Sequence, residues 1–270
     1  MNTRTLEEGA RSCQRADSAV RRVGAAGRRA DNDAMFARGG PTFLELMRQA
    51  LSSTDRGYDL LAPKFDLTPF RTPDALLEAA RPLLGADGSV ARALDLCCGT
   101  GAGVRMLRPL CREQVVGIDR SAGMLAEAAR AQTGDGARVN LVRGDVLENP
   151  LRGGFDLVTC FGAFGHILEA DEPRFVETVH ELLRPGGRFA FFTANPPGPL
   201  NPGRWLAKGF NAAMRVRNAL IQPPFVMYYL TFMLPRATAL LESAGFSLEA
   251  REGLGPKPYD RLTFVVATRS

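Results

Sequence analysis

Downstream of residue 90, short apolar runs alternate with stretches whose apolar positions recur at three- and four-residue spacing. ARALDLCC (91–98), QVVGID (114–119), VNLVRGD (139–145), FDLVTCFGA (155–163) and GRFAFFTA (187–194) are short, apolar and closed by turn-forming residues, so they are predicted as strands. Between them, GAGVRMLRPLC (101–111), AGMLAEAARAQ (122–132) and EPRFVETVHELL (172–183) carry helical spacing. After an interruption, PRATALLESAG (235–245) is predicted as a helix, with FSLEAREGL (246–254) and LTFVVATR (262–269) as two closing strands. Strands separated by single helices imply right-handed crossovers and a mainly parallel sheet covered on both faces, a doubly wound α/β sandwich.

Upstream, PTFLELMRQALSST (41–54) has the pattern of an amphipathic helix. YDLLAPKFDLTPF (58–70) is read as proline-broken turns leading to a second helix from about Pro73. The organisation expected is a basic, disordered or marginally helical tail over 1–40, a helical cap over 41–90, and a main domain over 91–270 carrying a lid insertion at 195–233.

Composition narrows the class. Of 270 residues 45% are hydrophobic and 23% charged, as in soluble globular domains, and no apolar run is long enough to span a bilayer. Residues 1–40 hold eight arginines and five acids around no apolar core, which argues against a secretion or transit signal and for a cytoplasmic protein. Five cysteines, scattered and without a C-x-x-C pair, speak against disulfides and zinc, so no metal is expected. Pro196 to Leu241 contains five basic residues and no acid.

The candidate ligand site lies at the carboxyl end of the first strand, where open α/β sheets bind ligands. Gly99, Gly101 and Gly103 in CCGTGAG allow a tight turn and close backbone approach. Asp95, Asp119 and Asp145 stand at the ends of three successive strands, a set suited to an amine, a ribose diol and an adenine edge. A pyrophosphate would want bare amides, and the dinucleotide fingerprint needs glycine where Val104 stands.

LDLCCGTGAG, VVGIDRSAGMLAEA, LVRGDV, FDLVTCFGAFGHI and LLRPGGRFAFF resemble the successive motifs of class I S-adenosylmethionine-dependent methyltransferases. The resemblance covers about 91–193, with the segment from 234 onward resembling the family's closing hairpin. It implies a Rossmann-like, seven-stranded, mainly parallel sheet with a C-terminal antiparallel strand, helical N-terminal and lid segments, and S-adenosyl-L-methionine as cofactor. It further implies that Asp95 positions the methionyl end, that Cys97, Gly99 and Gly101 form the cofactor loop, and that Asp119 binds the ribose. Arg120 and Met124 would lie beside the adenine, Asp145 and Val146 at its edge, and Cys160 and Phe161 near the methyl group. The family usually has glycine where this chain has Cys97.

For the acceptor end, His166 follows the fourth strand, where it is read either as a base for the nucleophile's proton or as a residue that packs and orders its loop. His180 lies on a helix away from that edge. Asn195-Pro196-Pro197 resembles the N-P-P signature of base and glutamine methyltransferases, but it follows the fifth strand and Gly198 replaces the stacking aromatic, so nucleic acid is not favoured. YDLLAPKFDLTPF resembles the entry segment of small-molecule methyltransferases, including quinone-biosynthesis enzymes. Tyr58 and Phe65 there either cap the cofactor pocket or pack the N-terminal helix.

Within the insertion, Arg204, Lys208, Asn211, Arg215 and Asn218 recur on one helical face, with Trp205, Leu206, Phe210, Met214 and Leu220 elsewhere. This helix over 204–221 is read as a lid with its polar face in water, or as a surface that meets anionic lipid or admits an apolar substrate. Phe210, Met214, Tyr228 and Tyr229, with Phe225, Met227, Phe232 and Met233, are candidates to line an apolar acceptor pocket. The expected function is methyl transfer to a small hydrophobic acceptor, a fatty acid, quinone or phenol, at oxygen or carbon. The alternatives are an RNA or protein methyltransferase using the basic N-terminal arm, and a cofactor-binding protein without catalysis.

Overall fold

A computed structural model describes residue 36, residues 38–132 and residues 136–270; the basic segment 1–35 lies outside the described residues. Seven strands form one sheet in the order β3-β2-β1-β4-β5-β7-β6. They are β1 (Val90–Leu96), β2 (Cys111–Asp119), β3 (Arg138–Arg143), β4 (Phe155–Cys160), β5 (Leu183–Thr193), β6 (Phe246–Glu252) and β7 (Thr263–Arg269). The first five pair in parallel, and β7 inserts antiparallel between β5 and β6. The chain moves from β1 outward to β3, then returns to place β4 on the other side of β1, which opens a crevice at the carboxyl ends of β1 and β4.

Strand alternation divides the core in two. Leu94, Leu96, Val116, Ile118, Val158, Phe189 and Phe191 point to one face, covered by α6 (Glu172–Leu182) and α8 (Leu234–Ser243). Ala93, Val115, Leu157 and Ala190 point to the other, covered by α3 (Asp74–Leu84) and α4 (Ala102–Leu107). Burial on both faces is why these strands read as nearly continuous apolar runs. α5 (Ala122–Ala131) lies beside β2 and β3.

Three expectations need correction. The stretch read as turns holds a helix, α2 (Thr54–Leu61), running into a 3-10 segment over Ala62–Leu67. Ser53 caps it by accepting from the Arg56 amide at 3.2 Å, and Gly57 fits where a β-carbon would strike the Phe225 ring and Gln49. The helix expected over 101–111 ends at Leu107, and Cys111 instead opens β2 by pairing with Val90. The fifth strand, predicted over 187–194, opens instead at Leu183: Leu183 pairs with Phe155 and Arg188 with Leu157, so Pro185 to Gly187 is looped out within it, with Gly186 at φ +72°.

α1 (Phe43–Leu51) and α7 (Pro202–Leu220) share an inverted arrangement. α7 turns several of its polar residues inward: Asn211 donates to the Tyr229 carbonyl and accepts from its amide, both at 2.8 Å. Asn218 likewise brackets Phe225, and Arg217 donates to the carbonyls of Ala50, Ser52 and Pro223. Trp205 and Leu206 are left 61% and 78% exposed. On α1, Gln49 is buried while Phe43 and Leu44 are 63% and 61% exposed. The reading of a lid helix with its polar face in water holds for Lys208 and Arg215, which are exposed, and fails for Asn211 and Asn218, because backbone groups of an irregular segment need side-chain partners more than they need apolar cover.

Candidate functional site

The crevice at the ends of β1 and β4 opens into a cavity of about 710 Å³, walled in part by α2 and, after α7, by residues 227–231 and Met233. At its inner end the chain turns after Leu96. Cys97 adopts φ +52°, a left-handed conformation rare for a side-chain-bearing residue, followed by Gly99 at +52° and Gly101 at +80°. Gly101 N-caps α4 and faces α5, where a β-carbon would press on Ala128. Gly103 lies against Asp95, and any side chain there would strike that carboxylate.

Asp95 is 2% exposed. Burial pushes its carboxyl up to about 7, moderated by the Thr159 hydroxyl that donates to Oδ1 at 2.7 Å and by the Val104 amide. Both donors are neutral, so the ionised form retains its charge for a cationic ligand group. Asp119 is also raised by burial and held by backbone amides: Ser121 donates to Oδ1 and Gly99 to Oδ2, each at 2.9 Å. Each oxygen keeps a further lone pair toward the cavity, enough for a diol.

Much of the rest of the cavity is aromatic. Tyr58, Phe65, Phe70, Phe161, Tyr228 and Tyr229 stand on its wall with Met227 and Met233. Tyr58 Oη is 2.7 Å from His166 Nε2, and His166 Nδ1 is 2.7 Å from the Val226 carbonyl oxygen. Burial lowers the His166 imidazole below its ordinary value, and the Val226 carbonyl pulls the other way. Burial, with Asp119 nearby, raises the Tyr58 phenol. The two groups are therefore neutral at pH 7.

The family described as methyltransferase domain (Methyltransf_25) matches residues 93–187. A demethylmenaquinone methyltransferase of Thermus thermophilus is 34% identical over 185 residues, which are 65% of this chain and 79% of that protein. The chain belongs to the class I S-adenosylmethionine-dependent methyltransferases. A trans-aconitate 2-methyltransferase of Deinococcus radiodurans is 37% identical over 101 residues, 37% of this chain and 36% of that protein. Among solved structures, the DhpI–SAH complex superposes with a TM-score of 0.58 at 21% identity, covering 84% of this chain and 98% of that one. That likeness is one of fold.

The methyltransferase's own residues fit the cofactor. The buried carboxylate of Asp95 next to a side-chain-free Gly103 leaves a cradle with a negative wall, and Asp119 offers acceptors one strand over. Of the residues expected to hold it, Asp95, Cys97, Gly99, Asp119, Arg120, Met124, Val146 and Phe161 stand on the cavity wall. Gly101 shapes the turn from behind. Asp145 sits off the wall, accepting from the Leu147 amide at 2.9 Å and pairing with Arg120 at 3.0 Å. Cys160 is fully buried behind Cys97, because strand alternation sends it to the same side as Val158.

Of the acceptor-side residues, Tyr58, Phe65, His166, Tyr228 and Tyr229 face the methyltransferase's cavity. Phe210 and Met214 do not: Phe210 packs edge-on against Tyr229 at 4.9 Å, and Met214 is buried under α7. Phe225 stacks behind Tyr58, and Phe232 joins the core against Phe164.

Two carboxylates that the sequence reading passed over fasten the cap. Asp59 accepts from the Ser121 hydroxyl at 2.6 Å and the Gly123 amide at 2.8 Å, at the N-terminus of α5. Asp66 accepts from the Thr100 hydroxyl at 2.6 Å in the glycine loop. Their signal was the repeated aromatic-Asp pair of Tyr58-Asp59 and Phe65-Asp66: each aromatic lines the cavity, and the acids hold the loops that follow β1 and β2.

Proposed function

We propose that the protein transfers a methyl group from S-adenosylmethionine to a small hydrophobic acceptor of the quinol or phenol class, with His166 as the base at which the proton released in the reaction is finally held. What supports the reading is that one cavity is lined both by Asp95 and Asp119 and by a set of aromatic side chains, with Tyr58 and His166 on the same wall. The similarity to a demethylmenaquinone methyltransferase supports the same acceptor class.

The bound cofactor supplies a methyl group already activated by a sulfonium. What the chain supplies is alignment, for which orientation alone is worth about 7–11 kcal/mol of barrier in favourable cases. Asp95 and Asp119 fix the inner end, and the aromatic walls exclude water and hold a flat acceptor at the outer end. Incubation with S-adenosylmethionine and a panel of naphthols, hydroquinones and fatty acids, followed by mass spectrometry, tests the reading. Methylated hydroquinone or naphthol is expected; methylation of only fatty acids, or of none, would refute it.

The outward apolar faces of α1 and α7 support a finer statement about where the acceptor is met. Trp205, Leu206, Phe43 and Leu44 stand exposed beside Lys208, Arg215 and Arg48, in a chain region without acids from 196 to 241. We assign these faces to peripheral contact with anionic lipid, from which an apolar acceptor would enter. Trp205 is the single tryptophan. Its emission should shift to the blue on vesicles containing phosphatidylglycerol and not on phosphatidylcholine alone; no shift on either would end the assignment.

A further inference from the structure

We propose that Tyr58 is the residue that meets the acceptor, taking the proton of its hydroxyl while handing its own proton to His166. This rests on the acceptor class given above and assigns the first contact to a different side chain.

The direction of the hydrogen bonds is fixed by elimination. A carbonyl oxygen only accepts, so His166 Nδ1, 2.7 Å from Val226 O, carries the ring proton. Nε2 is then a bare lone pair, and the Tyr58 hydroxyl, 2.7 Å away, must donate to it. With its hydrogen turned toward the imidazole, Oη is left with lone pairs and can only accept from whatever occupies the cavity, whose wall Tyr58 forms. A hydroxyl donor on the ligand completes the arrangement; an ether or ketone would not.

The surroundings hold this geometry. Tyr58 stacks on Phe225 at 6.3 Å and 9°, with His166 edge-on at 5.0 Å and 88°. The Val226 peptide is fastened from its other side, since its amide donates to Thr54 Oγ1 at 2.8 Å. Thr54 lies on α2, one turn before Tyr58, so one helix sets both the phenol and, through Val226, the tautomer. The titratable groups acting on Tyr58 are Asp119 and Cys97 from the cofactor side and Tyr229 from the segment after α7.

The transfer balances. The acceptor oxygen forms the bond to the methyl carbon as the carbon–sulfur bond breaks with its electron pair going to sulfur. The hydroxyl proton passes to Tyr58 Oη, the Tyr58 proton passes to His166 Nε2, and the imidazolium formed, bonded to the Val226 carbonyl, later releases that proton to water. Acidity then selects the acceptor. A phenol ionises near 10 and an unperturbed imidazole near 6.5, and burial lowers His166 further, so the handover is uphill by at least about three to four powers of ten. An alcohol ionising like water, near 15.7, would face about nine. The relay therefore fits phenolic or enolic hydroxyls and excludes aliphatic alcohols.

The chain's two histidines allow a test that needs neither ligand nor turnover. Nitrogen-15 NMR of the wild-type protein, with His180→Gln to assign the signals, should show His166 as the neutral Nδ1–H tautomer, and Tyr58→Phe should move the Nε2 resonance. A predominant Nε2–H tautomer would overturn the relay. In turnover, 1-naphthol and 4-nitrophenol serve as probes of high and low hydroxyl pKa. Tyr58→Phe should lower kcat on 1-naphthol by about 10²- to 10³-fold with little change in KM, and spare the largely ionised nitrophenol. Equal losses on both probes would reduce Tyr58 to a shape-determining residue. If the wild-type protein methylates neither, the acceptor class falls, and the tautomer alone decides the relay.

Discussion

Asp95 makes cofactor affinity a titration curve that can be worked out beforehand. Its carboxyl, pushed up to about 7 by burial, is neutral below that pH and ionised above it. A cationic methionyl group binds the ionised form, so affinity rises as pH rises through 7 and flattens beyond. About one site in eleven is ionised a unit below the midpoint and ten in eleven a unit above, so binding at pH 8 should exceed binding at pH 6 by about tenfold, about 1.4 kcal/mol. The cofactor-free protein follows the opposite sign. The folded state holds this proton more tightly than the unfolded state, whose carboxyl ionises near 3.8, so the group's contribution to stability declines as pH rises from about 4 to about 7. Isothermal titration with S-adenosylhomocysteine from pH 5.5 to 8.5 measures the first effect, and thermal melts of the unliganded protein the second. Asp95→Asn should bind roughly 10- to 100-fold more weakly and lose the pH slope. A slope much steeper than one decade per unit would mark Asp119, also raised by burial, as a second titrating group. A wild-type affinity flat between pH 6 and 8 would refute the assignment of Asp95 to the cation.

Three further outcomes are expected. Gly103→Ala drives a β-carbon into the Asp95 carboxylate and should cost about 1–3 kcal/mol of stability, read by urea denaturation, along with measurable cofactor affinity. Asp59→Asn removes the charge accepting from Ser121 and Gly123 at the start of α5; a loss of about 1–2 kcal/mol and faster protease cleavage between α1 and α3 should follow, with circular dichroism confirming that the sheet persists. Cys97→Gly should leave the melting temperature nearly unchanged, since relief of the left-handed backbone offsets the lost thiol, whereas Cys97→Val, β-branched at φ +52°, should cost about 2 kcal/mol or more.

The sheet was legible because its strands are buried on both faces and alternate with helices whose spacing is unambiguous, and Asp95, Gly99 and Asp119 followed from strand ends. α2 escaped notice because eight residues, TDRGYDLL, carry too little pattern to announce a helix. What holds it is remote in sequence: the fit of Gly57 beside Phe225 and the grip of Asp59 on α5. α7 was legible as a helix but not in its orientation, since no periodicity tells which face meets protein when Asn211 and Asn218 are spent on backbone groups. The displacement of Cys160 from the wall could have been read, because alternation from Val158 already sends it inward. The contact of Tyr58 with His166 spans 108 positions and had no local signal.

The two clasps at Asp59 and Asp66 have a thermodynamic corollary. Because α2 and the segment after it, on one wall of the cavity, are tied to the loops that follow β1 and β2, the proposed acceptor and cofactor sites would order together, and the coupling would be reciprocal. Any factor by which bound cofactor tightens the acceptor is the factor by which the acceptor tightens the cofactor. The enzyme would then release its second product more readily once the first has gone, a turnover order set by two aspartates that touch neither ligand.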